Sequence, residues 1–200
     1  TFDPLLHAGA YYVQEASSMF LWQALAQAVP ESKGKKVLDL CAAPGGKTTL
    51  LASYFTNGLV VANEVIKNRA AILVENCTKW GSAPLVVTNN DPAHFQSLPG
   101  FFDVMVVDAP CSGSGLFRKD PNAMQEWSEE SVTLCNQRQQ RILADALPCL
   151  KEGGILIYAT CSYSIEEDET ICDWLVASMD MKSISLSIEP NWGIVSTEST

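Results

Sequence analysis

The chain has 200 residues, 47% of them hydrophobic and 18% charged, which suits one sizeable α/β domain with its own core and excludes a disordered segment. The formal net charge of −10 argues against a grip on nucleic acid by bulk electrostatics. No apolar run approaches the roughly 20 residues that span a bilayer, and the amino terminus lacks the basic-then-apolar order of a secretory signal.

Taken in chain order, residues 1–12 contain Pro4 and Gly9 and show no period, as a connector would. Glu15 to Val29 predicts a helix with Met19, Trp22, Ala26 and Val29 on one face, ended by Pro30. Val37 to Cys41 is a first strand, and Ala42 to Thr49 lead through two glycines into a helix reaching about Phe55. Leu59 to Asn63 is a second strand, Lys67 to Trp80 an amphipathic helix stopped by Gly81, and Leu85 to Thr88 a third strand running into Asn89-Asn90-Asp91. Asp103 to Val107 predicts a buried fourth strand. Ser128 to Leu150 follows as a long helix split near Pro148, and Ile155 to Ala159 as a fifth strand behind the turn signal Gly153-Gly154. Glu166 to Met179 predicts a last helix, and the alternation over Ser183 to Ile188 a half-exposed edge strand. The negative charge is uneven. Residues 1–119 hold nine Lys/Arg and nine Asp/Glu, whereas residues 120–200 hold four and fourteen. The acidic run Glu166 to Glu169 reads as a solvated helix start, and it limits RNA affinity without excluding it.

Chemistry concentrates where strands end. The fourth strand stops at Asp108, and Ala109-Pro110-Cys111-Ser112-Gly113-Ser114-Gly115 follows it. Proline donates no ladder hydrogen bond, and glycines let the backbone turn tightly beside a ligand. The fifth strand has a matching thiol, Cys161, again followed by serine. If these two strands are parallel neighbours, both thiols reach one crevice at the carboxyl end of the sheet, where open α/β folds bind ligands. Gly45-Gly46 after the first strand aim backbone amides at a ligand. Gly46-Lys47-Thr48 matches only the tail of a phosphate loop, with Cys41 where that loop needs glycine. Glu64, about 20 residues beyond the glycine loop, holds the position from which a carboxylate binds ribose hydroxyls. Strand–helix alternation with acids at the ends of strands one to four predicts a doubly wound, Rossmann-like α/β sheet for an adenosine-like cofactor. Seven cysteines, none in Cys-x-x-Cys spacing, predict reduced thiols in a cytoplasmic setting and no metal site.

Three stretches, Asp39 to Thr48, Asp108 to Gly113 and Ala159 to Ser162, together resemble the Sun-type RNA 5-methylcytosine methyltransferases, the family of bacterial 16S rRNA cytosine methyltransferases and nucleolar Nop2-like proteins. Tyr11 to Ser18 and Phe117 to Pro121 resemble it too, and the likeness runs from about His7 to Asp173. The resemblance implies an S-adenosylmethionine-dependent methyltransferase domain over residues 31–200, with residues 1–30 a connector and helix leading into it. It implies that Cys41, Ala42, Ala43, Pro44, Gly45, Gly46 and Lys47 wrap the methionine end of the cofactor. Glu64 then holds the ribose, Asp91 lies by the adenine, and Asp108 lies between cofactor and target base. RNA is the implied partner, ribosomal before transfer RNA, with neither membrane nor metal. The family's closing strand near an aromatic-Arg-x-x-Pro-His segment is not found, so the sheet is expected to lack it.

Carbon 5 of cytosine is too weak a nucleophile to take a methyl group unaided. A thiolate added at carbon 6 pushes electron density onto it. The resemblance assigns that attack to Cys161 and product release to Cys111. It gives Asp108 the charge developing at ring nitrogen 3, a role favouring a dry pocket and a raised carboxyl pKa. Cys77, Cys135, Cys149 and Cys172 read as small core residues, and Trp80, Trp127 and Trp174 as packing. Lys47 has the plainer reading of an exposed helix-start lysine. Arg118 and Lys119 suit phosphate contacts or a solvated loop end about equally. The competing function is a catalytically idle rRNA-binding or ribosome-assembly factor on the same fold. A methyltransferase acting on amino groups fits worse, because Asp108-Ala109-Pro110-Cys111 lacks the Pro-Pro-aromatic pattern of such enzymes.

Overall fold

Five strands order as β3-β2-β1-β4-β5 in a computed structural model that describes residues 2–81, 84–120 and 122–194. Pro121, quoted above in the Phe117 to Pro121 stretch, lies outside the described residues, as do residues 1 and 195–200. The strands are β1 (Lys36–Asp39), β2 (Leu59–Asn63), β3 (Leu85–Thr88), β4 (Phe102–Asp108) and β5 (Leu150–Ala159). β1 pairs in parallel with β2 and β4, and β2 in parallel with β3. The central strands are continuous apolar runs because helices cover both faces of such a sheet. Val37, Leu38, Phe102 and Val104 to Val107 are accordingly buried.

The helices are α1 (Pro4–His7), α2 (Ala16–Ala28), α3 (Gly46–Tyr54), α4 (Lys67–Trp80), α5 (Ala123–Glu126), α6 (Glu129–Ala146) and α7 (Glu169–Ser178). α2 buries a face different from the expected one. Leu21, Ala24, Leu25 and Val29 are buried, while Met19, Trp22 and Ala26 are exposed. Tyr54 lies against this helix: its hydroxyl proton is shared between the Leu25 and Val29 carbonyls, and its ring meets that of Trp22 nearly at right angles, 5.0 Å between centroids. Leu21, Leu25 and Val29 pack with Leu50, Leu51, Phe55 and the strand residues Val37, Val60, Val104 and Val106 in one cluster.

Three further expectations are revised. The strand carrying Cys161 begins at Leu150 and runs through Gly153-Gly154, with Gly153 at φ 69°. The long helix ends at Ala146, and Pro148 sits in a 3-10 turn, Leu147–Cys149. Residues 183–188 form no strand. Alternation marks a half-exposed segment, but a strand also needs a partner, and the order of the sheet ends at β5. Among the described residues the sheet is therefore open on that edge, without a closing strand.

The chain divides into two compact units, Thr1–Asp108 with Asp145–Tyr158, and Ala109–Ala144 with Ala159–Thr200. In the first, Asn63 ties three strand ends together. Its Nδ2 donates to the Leu40 and Asn90 carbonyls, and its Oδ1 accepts from Thr88 Oγ1 and the Asn90 amide. At the opposite end, Asp103 accepts from the Lys36 amide and pairs with Lys151 at 2.6 Å. Strand ends fixed this way hold the loops that follow them.

Candidate active site

The first unit contains a cleft of about 260 Å³ at the carboxyl ends of β1 and β4, walled by the Cys41–Pro44 loop with Gly46 and Lys47, by Tyr12 to Glu15 with Ser18, and by Asp39 and Asp108. Gly45 caps α3 at φ 115°, a left-handed conformation that only glycine adopts without strain. Side chains that single-residue reading missed fasten the loop. Arg69 donates to the Ala43 carbonyl at 2.8 Å and Asn76 to the Pro44 carbonyl at 2.7 Å. These two lie seven residues apart and so share a face of α4, a polar pair that was available as a signal. Gln14 donates to the Gly46 carbonyl at 2.6 Å.

Lys47 is no solvated lysine. Its side chain is 18% exposed and pairs with Asp108 at 2.7 Å, and Ser18 Oγ lies 3.4 Å away. Asp108 is correspondingly not the isolated acid of a dry pocket. It is 40% exposed and ion-paired. Asp39 is the acid in dry surroundings. Burial pushes its carboxyl up to about 7, against the lowering effect of a hydrogen bond from Thr48. Cys41 is pushed up to about 12, by burial first and then by the charge of Asp39, so it stays a thiol.

Glu64 and Asp91 are not among the residues lining this cleft. Glu64 is 2% exposed at the end of β2. Its Oε1 accepts from the Ile66 amide. Its Oε2 lies 3.4 Å from Arg69 without hydrogen-bond geometry, and so is buried with no hydrogen bond. Asp91 caps the 3-10 turn Pro92–Ser97 by accepting from the Ala93 amide.

The second unit brings the two predicted thiols together. Cys111 Sγ and Cys161 Sγ are 3.1 Å apart. The hydrogen bond from Cys161 pulls Cys111 down to about 7, with burial opposing it and the backbone amides around Gly113 assisting. Gly115 permits the approach, since its amide donates to the Cys161 carbonyl at 2.7 Å and a Cβ there would lie 2.1 Å from that oxygen. The acidic run corrects an expectation. Glu167 faces inward, fully buried, and accepts from Ser112, Ser162 and Gln139. Cys77, Cys135 and Cys149 are buried as expected, whereas Cys172 is exposed. Trp127 meets Phe117 edge-on at 6.4 Å. Arg118 and Lys119 are exposed beyond the Cys111 loop. No group of three or more His, Cys, Asp or Glu among the described residues has the arrangement of a metal site. No described helix is long and apolar enough to cross a membrane.

An open parallel sheet with a glycine loop after β1 and acids at its strand ends defines a Rossmann-like fold of the methyltransferase type. The solved structure of NSun6 from Pyrococcus horikoshii superposes with a TM-score of 0.81 at 27% identity, over 94% of this chain and 47% of that one. A methyltransferase homolog protein from the same organism gives 0.73 at 33%, over 88% and 54%. The family model described as 16S rRNA methyltransferase RsmB/F matches residues 26–198. Ribosomal RNA small subunit methyltransferase F of Pectobacterium atrosepticum is 41% identical over 172 residues, 85% of this chain and 35% of that protein. Its counterpart from Serratia proteamaculans is 40% identical over 185 residues, 92% and 38%. The chain belongs to the 16S rRNA methyltransferase RsmB/F family. It spans between a third and two fifths of the length of these two relatives.

Proposed function

We propose that the protein is an S-adenosylmethionine-dependent RNA cytosine-C5 methyltransferase of the cytoplasm, acting on small-subunit ribosomal RNA through a covalent cysteine intermediate. The observation that carries this reading is the 3.1 Å thiol pair. A binding scaffold has no need of two thiols at hydrogen-bond distance, one of them held near neutrality.

The residues fit the methyl donor. Glu64 Oε2 and Asp39 Oδ1 are buried acceptors with no hydrogen bond from the protein, and Asp39 lines the cleft together with the Cys41–Pro44 loop, Gly46 and Lys47. Glu64 would accept from the ribose hydroxyls and the Cys41 to Lys47 segment would hold the methionine end. Asp91 is assigned to the adenine. The cofactor, when bound, supplies an electrophilic methyl group. Asp108, paired with Lys47, is assigned the charge that develops at ring nitrogen 3, and Arg118 and Lys119 are assigned to RNA phosphates.

The remaining steps belong to the two thiols. Cys161, the exposed member of the pair, bonds to carbon 6 of the cytosine while its proton passes to solvent. The electron pair displaced from the carbon 5–carbon 6 bond then lets carbon 5 take the methyl group. Cys111, pulled down to about 7 by its neighbour, then removes the proton from carbon 5 as a thiolate. The carbon 6–sulfur bond breaks, Cys161 leaves as thiolate, and it recovers the proton from Cys111. One proton is released overall.

Cys111→Ala blocks the last steps, so it is expected to methylate and remain trapped as a protein–RNA adduct. Cys161→Ala is expected to do neither. A denaturing gel of each variant with substrate RNA and cofactor reads this directly. A retarded band from Cys161→Ala alone reverses the assignment. Wild-type protein that leaves the bisulfite pattern of ribosomal RNA unchanged between cells with and without the gene supports the idle-scaffold reading instead.

A further inference from the structure

The two thiols lie 50 residues apart in sequence, on loops that follow different strands, and something must hold their separation. Glu167 is 0% exposed. Its Oε1 accepts from the Ser112 amide at 2.9 Å and from Gln139 Nε2 at 3.1 Å. Its Oε2 accepts from Ser162 Oγ at 2.7 Å and from Ser112 Oγ. Ser112 follows Cys111 and Ser162 follows Cys161, so a single carboxylate holds the residue next to each thiol. Gln139 extends the grip, because its Nε2 also donates to the carbonyl of Pro110, the residue before Cys111. The neighbouring Asp168 accepts from Thr160, the residue before Cys161, at 2.6 Å.

We infer that Glu167 is a positioning residue that sets the separation of Cys111 and Cys161; its bearing on catalysis rests on the function proposed above. A carboxylate offers about four acceptor directions in one plane, and here four donors from two loops and α6 occupy them. Reach is the essential property. Aspartate keeps the charge but is one methylene shorter, so it cannot hold both serines. Glutamine keeps the reach and one acceptor oxygen.

The test is the pH dependence of iodoacetamide alkylation at Cys111 in the intact protein, read on the Cys111 peptide by mass spectrometry so that other thiols do not interfere. The wild-type midpoint is expected near 7, where the Cys161 hydrogen bond holds it. In Glu167→Asp the pair separates and the midpoint moves toward the ordinary thiol value of ~8.5, slowing alkylation at pH 7 by roughly tenfold. In Glu167→Gln the midpoint stays at or below the wild-type value, because the glutamate charge itself pushes Cys111 up. A purely structural role changes the melting temperature of these variants and leaves the midpoint alone. A wild-type midpoint in Glu167→Asp overturns the inference. So does an equal upward shift in Glu167→Gln, which keeps the reach. Should Glu167→Asp fail to fold, the Ser112→Ala/Ser162→Ala double variant removes the hydroxyl donors and is expected to shift the midpoint up. An unshifted midpoint there overturns the inference equally. The alkylation readout needs neither RNA nor cofactor. Failure of Cys111→Ala to form an RNA adduct therefore sinks the covalent mechanism alone, and an unshifted midpoint with a working adduct sinks the Glu167 assignment alone.

Discussion

Burying a carboxylate costs several kcal/mol unless hydrogen bonds replace its water, and Glu64 and Glu167 meet that cost differently. Glu167 is surrounded by donors, so its acceptor capacity is used within the protein. Glu64 has only the Ile66 amide on Oε1 and an ill-aligned Arg69 beside Oε2. A buried oxygen without a hydrogen bond is destabilising in the free protein, and a ligand with hydroxyl donors removes the penalty. Glu64→Ala is accordingly expected to weaken S-adenosylmethionine binding by ~1.5–3 kcal/mol, the usual loss for a charged hydrogen bond. Titration calorimetry measures this. Unchanged affinity places the ribose elsewhere. Arg69 also grips the Ala43 carbonyl, so circular dichroism of the same variant should show that the glycine loop stays folded.

At the scale of an element, the loop after β4 depends on a residue with no side chain. Gly115 packs its backbone against Cys161, and a Cβ would lie 2.1 Å from the Cys161 carbonyl oxygen, which is backbone and has nowhere to rotate. Gly115→Ala is expected to cost about 1–3 kcal/mol, as overpacking does, and, in the Cys111→Ala background, to slow RNA-adduct formation more than tenfold by displacing Cys161. Urea midpoints and adduct rates check the two halves. An adduct rate equal to that of Cys111→Ala alone contradicts the assigned contact. The same loop shows what the sequence made legible. Cys111 and Cys161 were found from strand periodicity and matching Cys-Ser pairs, because the sheet fixes where strand ends go and residue type names the chemistry. β2 and α4 were found to the residue, since Gly81 at φ 69° is the stop that a helix demands. Glu167 was misread because an acidic run has no period that separates a solvated carboxylate from one turned inward. Only the serines after each cysteine, once folded together, decide that. The buried face of α2 was misread for a similar reason. Trp22 is apolar, but it stays 44% exposed against the Tyr54 ring while Leu25, three residues on, is fully buried. The strand expected over 183–188 failed because pairing is not a property of one segment.

For the whole molecule, Asp39 couples folding to the cleft. In the folded protein burial holds its proton up to about pH 7, against an ordinary value of 3.8. Between those pH values the folded state carries a proton that the unfolded state has released, so stability falls as pH rises from about 4 to 7 and is level above that. An asparagine side chain never ionises. Asp39→Asn is therefore expected to gain stability relative to wild type across that window by a few kcal/mol at most, since each tenfold change in proton affinity is worth ~1.4 kcal/mol, with a constant difference above it. Denaturant unfolding at pH 4.5, 6 and 8 reads this, and a pH-independent difference contradicts it. Binding runs the other way. Asp39 lines the cleft with Oδ1 unsatisfied, and S-adenosylmethionine brings a sulfonium and an ammonium, charges that favour the ionised acid. Association should release a proton from Asp39, so wild-type affinity rises by up to ~10-fold from pH 6 to 8, while Asp39→Asn binds more weakly with no such rise. Calorimetry in two buffers of different ionisation enthalpy counts the proton directly. Equal heats in both buffers at pH 6 place the cationic groups of the cofactor away from Asp39.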